Sequence, residues 1–367
     1  MSSCRVVNAL LPHPPRVRAS ASPRGRGDNA DPSPSGRGAG VREKLTSRGL
    51  VALVLTLFSA LAFAQTAYPN HPVKMIVPFA PGGASDFVAR IISPKLGEAL
   101  GQQIVIENRP GASGNIGMEA AAKAPADGYT IYLGNIGTIA INPAIFQNLS
   151  INPQKDFIAI TLVAEVPSIL IANPSVPANT VAELVALAKS KPGEFNFASP
   201  GSSTLNRLEM ERFMKFANLN IVHIPYKGGA GPAVTGMLGG ETQIMFVTLS
   251  SAISFIQAGR LKALGISTSK RIEALPQVPT MVEAGYPEMV SSSWQGVFVP
   301  AGTPRPIVDK LHAALLATMD SPEIKQRFAG GGVDVVTSKT PEGFATFVAA
   351  ETSRWGKVAK ESGATID

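Results

Sequence analysis

The sequence predicts an α/β protein of two lobes, on three observations. From Pro72 onward, short β-branched runs alternate with amphipathic stretches of helical period. Glycine-rich or small polar turns join them, and two long apolar runs interrupt the alternation. Strand, turn and helix repeated in that order build βα units and a largely parallel sheet, because each crossover helix covers the sheet face it leaves. The two interruptions mark where the chain passes between lobes.

The first unit is the clearest. Val73 to Phe79 reads as a strand and Ala80 to Ser85 as a turn. Val88, Ile91, Ile92, Leu96 and Leu100 form one helical face, with Pro94 as a kink point. Further strands are expected at Ile104–Glu107, Thr130–Leu133, Phe195–Ala198, Ile221–Ile224, Gln243–Val247 and Leu261–Ile266. The interrupting runs, Ile158–Ala172 and Trp294–Val299, are each flanked by proline or glycine and are read as the two interlobe crossovers. Lobe 1 is then discontinuous, residues 68–165 plus 290–367, with residues 166–289 inserted as lobe 2. Two crossings suit hinge closure, since a few residues at element ends can absorb the rotation. The C-terminal part is helical: Pro306–Met319, Pro322–Phe328 and Pro341–Lys360 each begin on a proline, which suits a first helical turn.

Residues 1–64 read as a leader. Residues 1–40 are rich in Arg, Pro, Ser and Gly without apolar periodicity, the composition of a disordered or untranslated segment. Residues 41–64 follow with Arg42, Lys44 and Arg48, the apolar run Leu50–Phe63 and a small-residue end at Ala64, the layout of a cleaved signal peptide. Export to the periplasm is expected; translation from Val41 through an alternative start codon would leave a signal peptide of ordinary shape, the alternative being that residues 1–40 are a translated, disordered segment.

With nine basic and three acidic residues in 1–64, the rest of the chain keeps 24 basic and 23 acidic residues, a net of +1. No concentrated basic face is available for phosphate, so nucleic acid is not an expected partner. The one cysteine, Cys4, lies in the leader, so neither a disulfide nor thiol chemistry is expected after cleavage. Roughly 300 residues remain, enough for two domains with their own cores.

Two loops carry the chemistry. Phe79-Ala80-Pro81-Gly82-Gly83-Ala84-Ser85-Asp86 stands between a strand and a helix. Its paired glycines let backbone N–H groups approach a ligand, and the helix start adds about half a positive charge, an anion site. Asp86 argues against phosphate unless its carboxylate turns inward to the backbone. Ser199-Pro200-Gly201-Ser202-Ser203-Thr204 is a second loop of this type, in the inserted lobe. Leu205, Leu208, Arg212 and Phe216 follow it on one helical face. If both helix starts open on one cleft, a carboxylate can be held from both sides. Each loop alone also reads as an ordinary tight turn or a run of N-cap candidates. Asn135, after the strand Thr130–Leu133, and Tyr226 with Lys227, after Ile221–Ile224, are further candidates at strand ends.

Catalysis and metal binding find little support. After the leader, His71, His223 and His312 are scattered without metal-ligand spacing, and neither a phosphate-loop nor a dinucleotide fingerprint is present. Ser203, His223 and Asp86 would have to meet in space to make a triad, and no Gly-x-Ser-x-Gly elbow accompanies them.

A series of motifs in order is more specific than either loop: Lys74 to Asp86, Glu107-Asn108-Arg109-Pro110-Gly111, Asp127-Gly128-Tyr129, Pro225-Tyr226-Lys227-Gly228, Leu238-Gly239-Gly240, Ala258 to Leu264, Leu275 to Thr280 and Pro300-Ala301-Gly302-Thr303-Pro304. On these the chain resembles the tripartite tricarboxylate transporter receptor family, the Bug-type solute-binding proteins. The resemblance implies a periplasmic-binding-protein fold of type II-like, Venus-flytrap architecture. It further implies a small carboxylate ligand, no cofactor, action as a monomer and handover to one large and one small integral-membrane permease subunit. Carried across, it gives Phe79, Pro81, Gly82, Gly83, Ala84, Ser85 and Asp86 one ligand carboxylate, through backbone N–H groups and water. Ser199, Gly201, Ser203 and Thr204 contribute from the other lobe, with Asn135 and Thr248 nearby. This chain departs from its relatives where they read Gly-Ser and, three residues on, His: here stand Ser203-Thr204 and Arg207. A ligand sensor for a signalling partner and a secreted hydrolase are the rival readings.

Overall fold

Strand β1 (Val73–Val77) seeds the first half of the molecule, because its Val73, Met75 and Val77 side chains need a cover and helix α1 (Ala84–Leu100) supplies it. The computed structural model describes residues 68–146 and 148–362, so the leader read from residues 1–64 lies outside it. The described residues form one compact unit. In chain order follow β2 (Ile104–Asn108), α2 (Asn115–Ala122), β3 (Thr130–Asn135) and the long β4 (Phe157–Ala172). The inserted part holds α3 (Val181–Ser190), β5 (Asn196–Ser199), α4 (Leu205–Ala217), β6 (Val222–Pro225), α5 (Ala230–Leu238), β7 (Ile244–Thr248) and β8 (Lys262–Ile266). The chain closes with β9 (Ser292–Pro300), α6 (Arg305–Asp320), α7 (Pro322–Gly330), β10 (Asp334–Val335) and α8 (Pro341–Ser362).

The strands hydrogen-bond in the order β2-β1-β3-β9-β4-β7-β5-β6, with β8 and β10 also paired to β4. The βα units are parallel as expected: β1 with β2 and β3, and β5 with β6 and β7. The sheet as a whole is mixed rather than largely parallel, because β4 and β9 run antiparallel to each other and to their flanking strands. No helix needs to intervene where a strand simply crosses between halves, so the parallel rule for βα units does not reach them.

β4 is the structural spine. At about 3.3 Å per residue its 16 residues span roughly 50 Å. From Phe157 to Pro167 it pairs with β9; from Ser168 to Ala172 it pairs with β7, and from Ile169 also with β8. Both faces of each half are covered. In the first, Val73, Met75 and Val77 pack on Val88, Ile92 and Leu96 of α1 and on Leu311 and Leu315 of α6, while Tyr132 and Phe298 face Phe344 and Trp355 of α8. In the second, Leu170, Phe197 and Phe246 pack on Met210 and Phe213, whereas Ile169, Met245 and Val247 pack on Ala233 and Met237. Alternate residues of β4 thus serve opposite faces, the period-2 consequence of the pleat. Two packed α/β halves joined by two long strands make the two-lobed binding-protein architecture.

Candidate ligand-binding site

Two helices start at one cavity of about 50 Å³ between the lobes. The first half lines it with Phe79, Gly83, Ala84, Ser85, Asn135, Ile136 and Gly137, and the second with Pro200, Thr204, Leu205, Asn206, Ala230 and Thr248. Ser293 and Gln295 of the crossing strand β9 form its floor. None of these residues carries a formal charge. A guest anion there must be stabilised by hydrogen bonds and helix dipoles rather than by an ion pair.

The α1 start is built from its backbone. Gly83 is its N-cap and contributes no side chain; the first intrahelical bond runs from Phe87 N–H to Gly83 O at 2.9 Å. The N–H groups before Phe87 therefore have no helical acceptor. Asp86 is turned inward, away from the cavity. Its carboxylate accepts from Gly82 N–H at 3.1 Å, Arg90 Nε at 2.9 Å and Asn108 Nδ2 at 3.0 Å. Burial pushes this carboxyl's pKa up, but the Arg90, Gly82 and Asn108 hydrogen bonds outweigh it and hold the group below its ordinary value. Asn108 also donates to Phe79 O at 2.9 Å, so one acid and one amide fix the whole turn. Ser85 Oγ donates to Gln295 Oε1 at 2.7 Å and accepts from Asn135 Nδ2 at 3.3 Å, which ties loop, floor and strand end together.

The α4 start uses side chains as well. Thr204, its N-cap, donates through Oγ1 to Gly201 O and does not cap the helix; the first helical bond is Leu208 N–H to Thr204 O at 3.2 Å. The first two turns are buried all round, from Leu205 through Met210, because they wedge between the lobes. This departs from the single face expected through Leu205, Leu208, Arg212 and Phe216: Phe216 is 45% exposed and lies under the Arg212 guanidinium. Glu209 is fully buried in that wedge. Its carboxylate accepts from Ser291 Oγ at 2.5 Å and from Asn206 Nδ2 at 2.9 Å. Burial raises its pKa to about 7 against the hydrogen bonds of Ser291, Asn206 and Ser168 and the nearby Arg212 charge. Ser267 Oγ, whose one hydrogen is shared between Ser168 O at 2.9 Å and Ser291 O at 2.8 Å, also accepts from Ser168 N–H, so this polar cluster clasps both chain crossings.

The lobes touch on both rims of the cavity. Ala80 N–H donates to Gly228 O at 2.7 Å, and Pro81 O is so close to Gly231 that a Cβ there would stand 2.2 Å from it. On the other rim, Ser203 Oγ donates to Asn142 Oδ1 at 2.7 Å, and Asn142 reaches on to Ser113 O and Asn115 Oδ1.

Of the residues expected from sequence, Phe79, Gly83, Ala84, Ser85, Asn135, Thr204 and Thr248 line the cavity. Pro81, Gly82 and Asp86 build the turn behind it, and Gly201 and Ser203 sit at the rim. Ser199 Oγ pairs with His223 Nε2 inside the second half. Tyr226 donates its hydroxyl to Glu241 Oε2 and Lys227 is exposed, so neither lines the cavity. Arg207 is neither solvated nor in the cleft: it is buried, ion-paired to Glu211 and hydrogen-bonded to His223. Ser203, His223 and Asp86 are each engaged elsewhere and assemble no triad through these bonds. Sequence reasoning missed Asn206, Ser293 and Gln295. The one signal for Asn206 was its i, i+3 spacing to Glu209 at a helix start.

Two α/β lobes on crossing strands, closed over an uncharged cavity fed by two helix N-termini, define a solute-binding protein of the periplasmic type. Protein BugT of Bordetella pertussis (strain Tohama I) is 36% identical over 314 residues, 85% of this chain and 96% of its own length. Among solved structures, MatC from Rhodopseudomonas palustris with bound malate superposes at a TM-score of 0.75 with 33% identity, covering 80% of this chain and all of its own. R. palustris Rpa4515 with adipate does so at 0.79 with 33% identity, over 82% of this chain and all of its own. The chain belongs to the tripartite tricarboxylate transporter family of receptors, whose family model matches residues 88–364.

Proposed function

We propose that this protein is a periplasmic receptor that captures a small carboxylate between its lobes and delivers it to one large and one small membrane permease subunit. The observation that carries the reading is the convergence of two helix N-termini, α1 at Gly83–Ser85 and α4 at Thr204–Asn206, on one uncharged cavity. Each contributes roughly half a positive charge and several N–H donors, the complement of a carboxylate. A water needs about 10–15 Å³ of such space. A cavity of about 50 Å³ therefore favours a compact acid. Relatives solved with malate and with adipate fit the same chemistry.

The lobes divide at residues 165/166 and 289/290, close to where β4 changes partner between Pro167 and Ser168. Hinge rotation about β4 and the run into β9 opens the cleft, and the rim contacts Ala80–Gly228 and Ser203–Asn142 form on closing. The protein reaches the periplasm through cleavage of the leader before Gln65. A thermal-shift screen of residues 65–367 against mono-, di- and tricarboxylates tests the reading. A ligand at 100 times its Kd should stabilise the protein by about 2.7 kcal/mol. Stabilisation by neutral sugars with no response to any carboxylate would overturn it.

A further inference from the structure

The side chain of Asn206 is 6% exposed and lines the cavity, yet both of its amide hydrogens are spent inside the protein. Its Nδ2 donates to Glu209 Oε2 at 2.9 Å and to Ser168 Oγ at 3.0 Å. Among the described residues no protein donor reaches its Oδ1. Two acceptors on the nitrogen side fix which way the amide points, for a flipped amide would set its oxygen against the carboxylate. Glu209 holds this orientation in either protonation state, since a proton can sit on Oε1, toward Ser291, and leave Oε2 free to accept. The cavity is thus offered a hydrogen-bond acceptor right beside the N–H groups that open α4.

We propose that Asn206 is a specificity-determining residue whose carbonyl oxygen selects ligands carrying a donor next to the carboxylate, a 2-hydroxyl or 2-ammonium group. This rests on the carboxylate reading of the cleft. An acid with only hydrogens at C2 would leave the buried carbonyl without a partner after displacing its water, and a buried acceptor left unpaired costs far more than a good hydrogen bond gains. Glu209 acts through Asn206 as a positioning residue.

The experiment is calorimetry on residues 65–367 with matched acids that differ only at C2: propionate, lactate and alanine; succinate, malate and aspartate; glutarate, 2-hydroxyglutarate and glutamate. Within the series that binds, the 2-hydroxy or 2-amino member is expected to bind about tenfold or more tighter than the unsubstituted acid. In Asn206→Ala that ratio should collapse toward one, mainly because the unsubstituted acid binds more tightly once the unpaired carbonyl is gone. Glu209→Gln can offer Asn206 an N–H₂ group and let the amide flip, so it should shrink the ratio without abolishing binding. Equal or tighter binding of the unsubstituted acid by the unaltered protein, or an unchanged ratio in Asn206→Ala, would overturn the assignment while leaving the carboxylate reading standing. If no carboxylate binds in any series, the receptor reading fails and this inference falls with it.

Discussion

The helix starts on the two sides of the cleft do different work. At α1 the cavity meets chiefly backbone: the N–H groups that follow the Gly83 N-cap lack a helical acceptor, while Gly82 N–H is spent on the charged residue, Asp86, which is turned away to hold the turn shut from behind. At α4 the cavity meets side chains, Thr204 and Asn206, and the charged residue behind them, Glu209, is sealed in the wedge between the lobes. A backbone nest binds any carboxylate in much the same way, since every peptide N–H is alike. An oriented side chain can discriminate. On the proposed reading both helix starts hold the charge, and the second lobe adds the means of choosing among acids.

This contrast can be broken or sharpened by substitution. Gly231→Ala should have the largest effect. Its Cβ would stand 2.2 Å from Pro81 O in the opposite lobe, so it obstructs closure over the cleft by pressing on the α1 turn across the rim. We expect affinity for every carboxylate to fall by a hundredfold or so, with the unliganded protein as stable as before or slightly more so, because alanine suits a helix better than glycine. Calorimetry and thermal melts on the same sample check both halves.

Next is the titration of Glu209. Its folded pKa of about 7 lies above the ordinary 4.5, so the folded state binds more protons between those values. Its contribution is therefore fully present below about pH 4.5 and is lost as pH rises through 7, by about 3 kcal/mol in all. Urea denaturation of the unliganded protein at pH 5 and pH 8 should reveal that decline, and Glu209→Gln should flatten it.

Asp86 has the opposite sign. With its folded pKa lowered, its stabilisation is present above the ordinary carboxylate pKa and is lost as pH falls through the folded value. Asp86→Ala frees Gly82 N–H and Asn108, loosening the nest. It should weaken all carboxylates alike by about tenfold and leave the ranking among them intact. The smallest effect belongs to Gly83→Ala, whose Cβ would meet Ala230 Cβ at an ordinary 3.7 Å and Ala230 N at 4.0 Å. Less than a threefold loss is expected. Gly83→Val adds branches toward Ala230 and the cavity and should be markedly worse.

Much of this was legible in the sequence, for identifiable reasons. The strands announced themselves because β-branched runs between glycine-rich turns have few other uses, and each expected strand is found within about two residues of its place; only the two-residue β10 was not foreseen. The run Ile158–Ala172 pointed to a crossing because so long an apolar stretch does not fit one βα unit. Both anion-type loops were visible from their glycines and hydroxyls. What stayed hidden depends on three-dimensional contact. Asn206 and Glu209 look like surface residues of an amphipathic helix until the second lobe and the crossing strands close around them. Ser203 looks like a ligand donor until Asn142, 61 residues away, takes its hydroxyl. The antiparallel direction of β4 and β9 follows from topology, which no local pattern encodes.

The central claim is that a carboxylate is shared by the two helix starts, and a crystal structure of residues 65–367 with a bound acid tests it most directly. The account predicts carboxylate oxygens at hydrogen-bond distance, directly or through one water, from N–H groups of both Gly83–Ser85 and Thr204–Asn206. A carboxylate held by one lobe alone, or seated outside this cavity with Lys227 or Arg207 as its partner, would contradict it.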